Sequence, residues 1–220
     1  MGAVGAVAVV LGVVALLAYG VHRMGGAVLA RMQQAAADAA RVLQLTAVAL
    51  DREAAADVFV LRGRRVLSDV VAWRGQLHGV EVQLGSFAHE SNTAMNGVLI
   101  PIVTARVLAA LPRPLPGALQ IGRRVFGMAD SDVTIGGDID RKCVIVSEQP
   151  DAVRALLAPA PALQRAILDF VLAGQGSAYV CNTHVEAFVF HRDAARIRDA
   201  LRRAAQLARE LDRQLPGDLR

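Results

Sequence analysis

The first 23 residues constrain this chain more than any other segment. No side chain from residue 2 to residue 21 is charged, and residues 3–19 read AVGAVAVVLGVVALLAY. About 20 apolar residues in a helix cross the ~30 Å hydrocarbon core of a bilayer, and a helix satisfies its own backbone there. Tyr19 lies at one end, where an aromatic ring suits the membrane interface. The pattern predicts a transmembrane anchor over residues 1–23.

The charges around this segment predict its orientation. A cleaved signal peptide is the alternative, but it carries a basic segment before its apolar run, and here only the α-amino group precedes it. Arg23, Arg31 and Arg41 follow the run, so the positive-inside rule places the C-terminal bulk in the cytoplasm. We therefore expect a single-pass protein of the bacterial inner (cytoplasmic) membrane.

Small residues recur at helical spacing within the predicted span. Such a stripe lets a second helix approach closely, which suggests self-association or contact with other membrane-protein subunits, although alanine and glycine also recur by chance. The positions that define the span and its stripe are Ala3, Gly5, Ala8, Gly12, Ala15 and Tyr19.

Composition excludes several classes of protein. Of the 220 residues 54% are hydrophobic, which is too many for a disordered chain. The net charge of +4 is modest and acidic residues interleave with basic ones, unlike the dense basic patch of a nucleic-acid-binding protein. Cys143 and Cys181 are too few for a disulfide framework, so we expect free thiols in a reducing cytoplasm, with a single bridge as the alternative.

The chain after the span divides by pattern. We assign residues 24–55 to a helical stalk or docking helix, because residues 27–51 contain no Pro or Gly. Residues 56–215 predict an α+β domain, with residues 216–220 as a tail. Its fold class is a mainly antiparallel sheet of about five to seven strands with helices packed on one face.

The predicted elements of this domain follow from its sequence pattern. The strands are residues 80–84, 98–111, 118–123, 132–135 and 143–148. They are followed by helices at 152–158 and after Pro161, a hairpin within 177–190 and a helix over 192–214.

The terminal helix is amphipathic. Its apolar seam predicts packing against another surface and consists of Ile197, Leu201, Ala204, Ala208, Leu211 and Leu215. Arg202, Arg203 and Arg209 lie on its polar side, where they either form a solvated face or contact anionic membrane lipid. A coiled coil with another subunit is a third interpretation.

Two clusters have residue types found in metal sites. Asp130, Asp132, Asp138 and Asp140 surround a Gly-Gly turn, and hard cations prefer such oxygen ligands. Asp also caps backbone amides in turns, which is the interpretation we favour.

The second cluster belongs to the predicted hairpin. A turn at residues 182–183 pairs Cys181 with His184 and places Glu186 on the same face. Zinc requires three or four ligands, so an ordinary cross-strand patch is favoured. Ser86, Ser91, His89 and Glu90 are the other polar group, expected in a loop. We predict no catalytic residue, no metal and no cofactor.

Several segments carry a family resemblance. They are DVTIGGDID at residues 132–140, CVIV at 143–146, DAVRALL at 151–157 and GQLHGVEV at 75–82. Together with the closing hairpin and helix they resemble a family of uncharacterised bacterial membrane-anchored proteins across residues 70–213. The resemblance implies an α+β domain behind a membrane anchor and no catalytic residue.

Three functions remain open. We favour a membrane-anchored interaction or accessory subunit without catalytic activity. The alternatives are a metal-dependent hydrolytic enzyme at the membrane surface and lipid-surface binding through the C-terminal helix.

Overall fold

The computed structural model describes residues 25–59, 65–95, 98–115, 119–124, 130–173, 178–181 and 183–215. The predicted transmembrane span, with Ala3, Gly5, Ala8, Gly12, Ala15 and Tyr19, lies outside the described residues, as does the predicted tail.

The centre of the fold is one antiparallel sheet of eight strands in the order β1-β2-β3-β4-β8-β7-β5-β6. Its strands are β1 Thr46–Val48, β2 Val71–Leu77, β3 Val80–Met95, β4 Val98–Ala110, β5 Leu119–Arg123, β6 Cys143–Ser147, β7 Ala178–Cys181 and β8 His184–Val189. The predicted mixed α+β class with a mainly antiparallel sheet is confirmed.

Six helices are described. They are α1 at residues 25–42, α2 Arg52–Val58, α3 Gly137–Lys142, α4 Pro150–Leu157, α5 Pro161–Ala173 and α6 Ala194–Gln214. No single helix of these residues has both the length and the apolarity that a membrane span requires; α4 and Pro161–Leu172 meet the criteria only as a pair bent by 108°.

The main core lies on one face of the sheet. Helix α6 packs over β3, β4 and β8, and α5 packs beside α6 against β5. The predicted seam of α6 is buried, as are Leu163, Ile167 and Phe170 of α5. Helix α1 adds Met32, Ala36 and Ala40 to the same cluster. The prediction that late helices cover one face therefore holds for α5 and α6.

The predicted helical stalk or docking helix over residues 24–55 is interrupted after residue 42, where α1 ends. Gln44 has a φ of +56°, and the Leu45 N–H donates to the Ala40 carbonyl, five residues back. This is the bonding of a Schellman motif, which ends a helix. The chain then enters β1, where the Gly75 backbone of β2 lies so close to Leu45 that an added Cβ would stand 2.6 Å from Leu45 Cδ2.

Residues 132–135 form no strand, contrary to prediction. The Ser131 hydroxyl bonds to the backbone of Ile145 at 2.8 and 2.9 Å, and the Asp132 and Val133 N–H groups share the Ile145 carbonyl. The Ser131 side chain thus takes the backbone hydrogen bonds of Ile145 that a strand beside β6 would need.

The prediction of a polar loop around Ser86 and Ser91 is also wrong. These positions belong to β3, which runs to Met95. Ser86 and His89 are buried, because the alternation of the strand directs successive side chains to opposite covered faces.

The second face of the sheet carries a smaller cluster. Helix α2 lies over it, and Ala55, Phe59, Val66, Phe87 and Leu108 pack there. The polar residues of the candidate site lie on this face.

Candidate functional site

Three neighbouring strands present a grid of side chains to α2. Gln83 of β3, Leu108 of β4 and Glu186 of β8 form one row, and Gly85, Arg106 and Phe188 form the next. Residues two apart on a strand point to the same face, so this grid fixes which polar groups meet.

The centre of the grid is a buried ion pair. Arg106 Nη1 lies 2.5 Å from Glu186 Oε1, with the side chains 1% and 3% exposed. A charge of this kind is costly to bury unless it is paired and hydrogen-bonded. Removing either side chain would therefore leave the other as an unpaired buried charge.

Arg106 has further contacts that tie α2 to the sheet. Nη1 donates to the Phe59 carbonyl at 3.2 Å, and the guanidinium stacks 3.9 Å from the centroid of the Phe188 ring. Nη2 lies 3.4 Å from His89 Nε2. His89 Nδ1 is 2.8 Å from the Glu90 carbonyl, which can only accept. The proton therefore sits on Nδ1, and Nε2 accepts from Arg106.

Gly85 makes room for this arrangement. A Cβ at this position would stand 2.3 Å from Cζ of Phe59. The Phe59 ring, which also packs on Phe87 at 5.3 Å between centroids, thus fills the space that a side chain at position 85 would take.

Beside the ion pair lies a depression with a volume of about 210 Å³. Its lining combines apolar and polar side chains from α2, the three strands and the turn before β8: Val58, Glu81, Gln83, Leu108, Ala110, Thr183 and His184.

His184 is the unusual member of this lining. Its Nδ1 lies 3.2 Å from Thr183 Oγ1, and burial lowers the pKa of its imidazole, so the ring is neutral at pH 7. Its Nε2 is buried and has no hydrogen-bond partner among the described residues. Buried polar atoms are nearly always satisfied, so this nitrogen is an exception within the part of the chain that the structure describes.

Glu81 carries the charge at the rim. Arg74 Nε and Nη2 lie 2.8 and 2.7 Å from Glu81 Oε1, and the hydrogen bond from Arg74 lowers the pKa of the carboxyl. Glu81 is therefore an ionised carboxylate, and Arg74 balances its charge.

One member of the predicted acidic cluster, Asp140, bonds to the backbone of the turn before α3. Asp140 accepts from the Ile135 and Gly136 N–H groups at 3.1 and 2.6 Å and so positions the start of α3. Asp138 pairs with Lys142 and Arg141, which lowers the pKa of its carboxyl. Asp130 and Asp132 are exposed. Within the described ranges no group of three or more His, Cys, Asp or Glu residues is placed to hold a metal ion.

The hairpin has the predicted register, with Cys181 opposite His184 and Tyr179 opposite Glu186. Glu186 is bonded to Arg106, so its carboxylate is committed to the buried pair. The Cys181 side chain lies outside what the structure describes. Cys143 is a buried free thiol, and burial raises its pKa to about 11.

The three arginines proposed for lipid or partner contact differ in their environments. Arg202 is exposed, and Arg209 is half-buried. Arg203 is also half-buried and donates to the Asp169 carbonyl of α5 at 3.0 Å.

Arg106, Phe59 and Gly85 were missed by the sequence analysis. The signal for Arg106 is a lone arginine at an inward position of the apolar run over residues 102–111. That position predicts a buried cation and therefore a buried acidic partner.

Comparison with known proteins adds one structural likeness. No family model matches the chain, and no curated protein matches it. The crystal structure of the mycobacterial trehalose monomycolate transport factor A, TtfA, superposes with a TM-score of 0.50 at 14% sequence identity. The likeness covers 84% of this chain and 96% of that chain, so the two share a fold over most of their length.

Proposed function

We propose that this chain is a non-enzymatic accessory factor of a membrane transport complex, anchored by residues 1–23 with its α+β domain in the cytoplasm. The observation that carries the proposal is the likeness to the transport factor, which extends over nearly the whole of that chain. The uncharged run at residues 3–19 supports the anchor.

The chemistry of the second sheet face supports a role without catalysis. Glu186 and Arg106 satisfy each other beneath α2, and neither side chain is accessible to a substrate. Catalytic acids and bases must reach a reacting atom. A closed pair of this kind serves the fold.

Membrane anchoring is tested by extraction. We expect the full-length chain to stay in the membrane pellet after alkaline carbonate washing, and a chain beginning at residue 25 to be released. Release of the full-length chain would overturn the anchor.

The accessory role is tested separately by cross-linking in native membranes followed by purification in mild detergent. We expect a stoichiometric integral membrane transporter to co-purify with the full-length chain and to be lost with the chain beginning at residue 25. A full-length chain that purifies alone, without a cross-linked partner, would contradict this role.

A further inference from the structure

We propose that a β-hairpin arm, formed by residues 90–95 of β3 and 98–103 of β4, lies in the headgroup region of the bilayer beside the anchor. The inference rests on the anchor proposed at residues 1–23 and goes beyond it, because it assigns the folded domain a membrane contact of its own. Its basis is the bare edges of the arm, its lack of charge and its position at the end of the sheet from which α1 projects.

The arm is the part of the β3–β4 hairpin that extends beyond the rest of the sheet. β2 borders β3 only as far as Ser86, and residues 65–67 border it to Glu90. On the other side, β8 borders β4 only from Ala105. Beyond these points the described part of the chain pairs β3 and β4 only with each other. A two-stranded hairpin is marginally stable in water, so the arm needs a surface to lie on.

The arm is also uncharged. No side chain from residue 91 to residue 105 carries a charge, although 20% of the residues in the chain are charged. Its β4 half reads VLIPIV over residues 98–103, and Pro101 is exposed. Soluble domains protect a bare strand edge with charged side chains, which this edge lacks. The composition therefore favours an interfacial environment over water.

Pro101 argues against another protein strand as the partner of the arm. The Glu90 N–H donates to the Arg65 carbonyl at 3.1 Å, so the backbone groups of Glu90 point away from β4. In such an antiparallel pair the opposite residue also directs its backbone groups outward, and Pro101 is opposite Glu90. Proline has no N–H to donate. A strand from a second copy or from another protein would therefore lose a ladder bond at the outer edge of β4, whereas lipid needs no ladder.

The arm and the start of α1 project from the same end of the sheet. Gln33 of α1 donates to the Asp69 carbonyl, just before β2, at 3.3 Å. Leu45, which follows the helix, lies against Gly75 near the other end of β2. Helix α1 thus runs in the direction of β2, and its first residues extend past the start of that strand. Because β3 is antiparallel to β2, it leaves the sheet at this same end.

The lengths of the two elements bring the arm to the bilayer surface. Residues 25–33 of a helix rise about 12 Å, and the proposed anchor ends at residue 23. β3 passes the level of Asp69 near Ala88, and residues 88–95 of a strand span about 23 Å. The arm is therefore long enough to reach past the end of the anchor.

The open edges of the arm limit how deep it lies. Strand edges without partners are excluded from the hydrocarbon core, because their N–H and C=O groups find no hydrogen bonds there. The interfacial layer on each side of that core is about 5–7 Å deep, and water and headgroups in this layer can bond to the edges. We therefore place the arm in the interface and not across the membrane.

The test measures the depth of the arm by tryptophan fluorescence of the full-length chain in phospholipid vesicles. Leu99→Trp places the probe in the arm. Gln76→Trp places the same probe at an exposed position at the opposite end of the sheet and is the matched control. The unsubstituted chain, whose only tryptophan is Trp73, gives the background. We expect lipids brominated high on the acyl chain to quench Leu99→Trp, and to quench Gln76→Trp no more than the background.

Equal quenching of the two variants would overturn the proposal. A blue-shifted emission of Leu99→Trp without quenching would also overturn it, because protein and not lipid would then cover the arm. If circular dichroism shows that Leu99→Trp does not fold, Met95→Trp in the other strand of the arm repeats the measurement.

Alkaline carbonate washing of the same vesicles tests the anchor separately. A chain that resists the wash but has an unquenched arm contradicts this inference and leaves the anchor standing. A chain that is quenched before the wash and released by it supports the arm and contradicts the anchor.

Discussion

Arg106 and Glu186 show how two residues far apart in sequence join separate elements. Arg106 contacts β8 through Glu186, α2 through the Phe59 carbonyl and β3 through His89. Polar contacts in a medium of low dielectric are strong when satisfied, and costly when one member is missing. The pair is therefore the point at which the second face of the sheet is most sensitive to substitution.

We expect Glu186→Ala to destabilise the domain by about 3–5 kcal/mol, because it leaves the Arg106 cation buried without its carboxylate. The measurement is the free energy of unfolding from urea titration of the variant and the unsubstituted chain. Replacing both members, as Arg106→Met with Glu186→Leu, should recover most of the loss, because no buried charge remains.

The matched control is the exposed pair on the same face. Arg74 and Glu81 make a similar contact near solvent, where an ion pair contributes about 0–1 kcal/mol. If Glu186→Ala costs no more than Glu81→Ala, the buried pair does not hold this face together.

Prediction from the sequence succeeded for elements with a strong period. Helix α6 and its seam were predicted because apolar residues recur at steps of three and four from Ile197 to Leu215. The same reasoning identified α5, β5 and the β7–β8 hairpin. Local patterns fail where a side chain replaces a backbone partner, as Ser131 does beside β6, or where a single αL residue such as Gln44 ends an alanine-rich helix.

The candidate site could be predicted only in part. His184 and Glu186 were selected because hairpin pairing is a local property of the sequence. Their actual partners are non-local: Arg106 precedes Glu186 by 80 residues, and Val58 and Phe59 lie at and just after the end of α2. Only the order of strands in the sheet brings these positions together, and no spacing in the sequence encodes it.

The polar face of α6 carries an element-scale prediction about lipid binding. Arg202 and Arg209 are seven residues apart and share one side of the helix, and the described residues contain no ion pair for either. Each basic residue near an anionic bilayer contributes about 1 kcal/mol. We expect Arg202→Glu with Arg209→Glu to weaken binding of residues 25–220 to phosphatidylserine vesicles by at least about tenfold in co-sedimentation.

A matched pair with the same change in charge separates position from net charge. Arg123→Glu with Arg124→Glu alters the exposed end of β5, away from α6, and should reduce binding much less. Unchanged thermal midpoints would show that both variants are folded. Equal losses in the two pairs would mean that the vesicles respond to net charge and that α6 has no specific role.

At the scale of the whole molecule, the two faces of the sheet are stabilised by different chemistry. The main core is apolar and includes the buried Cys143 thiol, whereas the second face includes charged groups and the neutral His184. Burial acts on both titratable groups by disfavouring the charged form. It lowers the pKa of His184 and raises that of Cys143 to about 11.

These shifts predict loss of stability on both sides of neutral pH. An unfolded histidine binds its proton below about pH 6.5, where the folded ring still resists it, so stability falls as pH drops through that value. An unfolded thiol loses its proton above about pH 8.5, whereas the folded one keeps it until about 11. Stability therefore also falls as pH rises through this window.

The loss of stability at alkaline pH is the simpler one to measure. At acid pH the carboxyls of Glu81, Glu90 and Asp138, whose pKa values are also lowered, contribute to the loss together with His184. Urea unfolding between pH 7.5 and 10 should show a declining free energy for the unsubstituted chain (the range follows from the thiol pKa values). Cys143→Ala should start from a lower value, because it opens a cavity in the main core, but its profile should be flatter. If the free energy of unfolding falls equally with pH in both chains, the Cys143 thiol does not cause the alkaline loss of stability. Burial in the main core would then leave the pKa of this thiol unchanged.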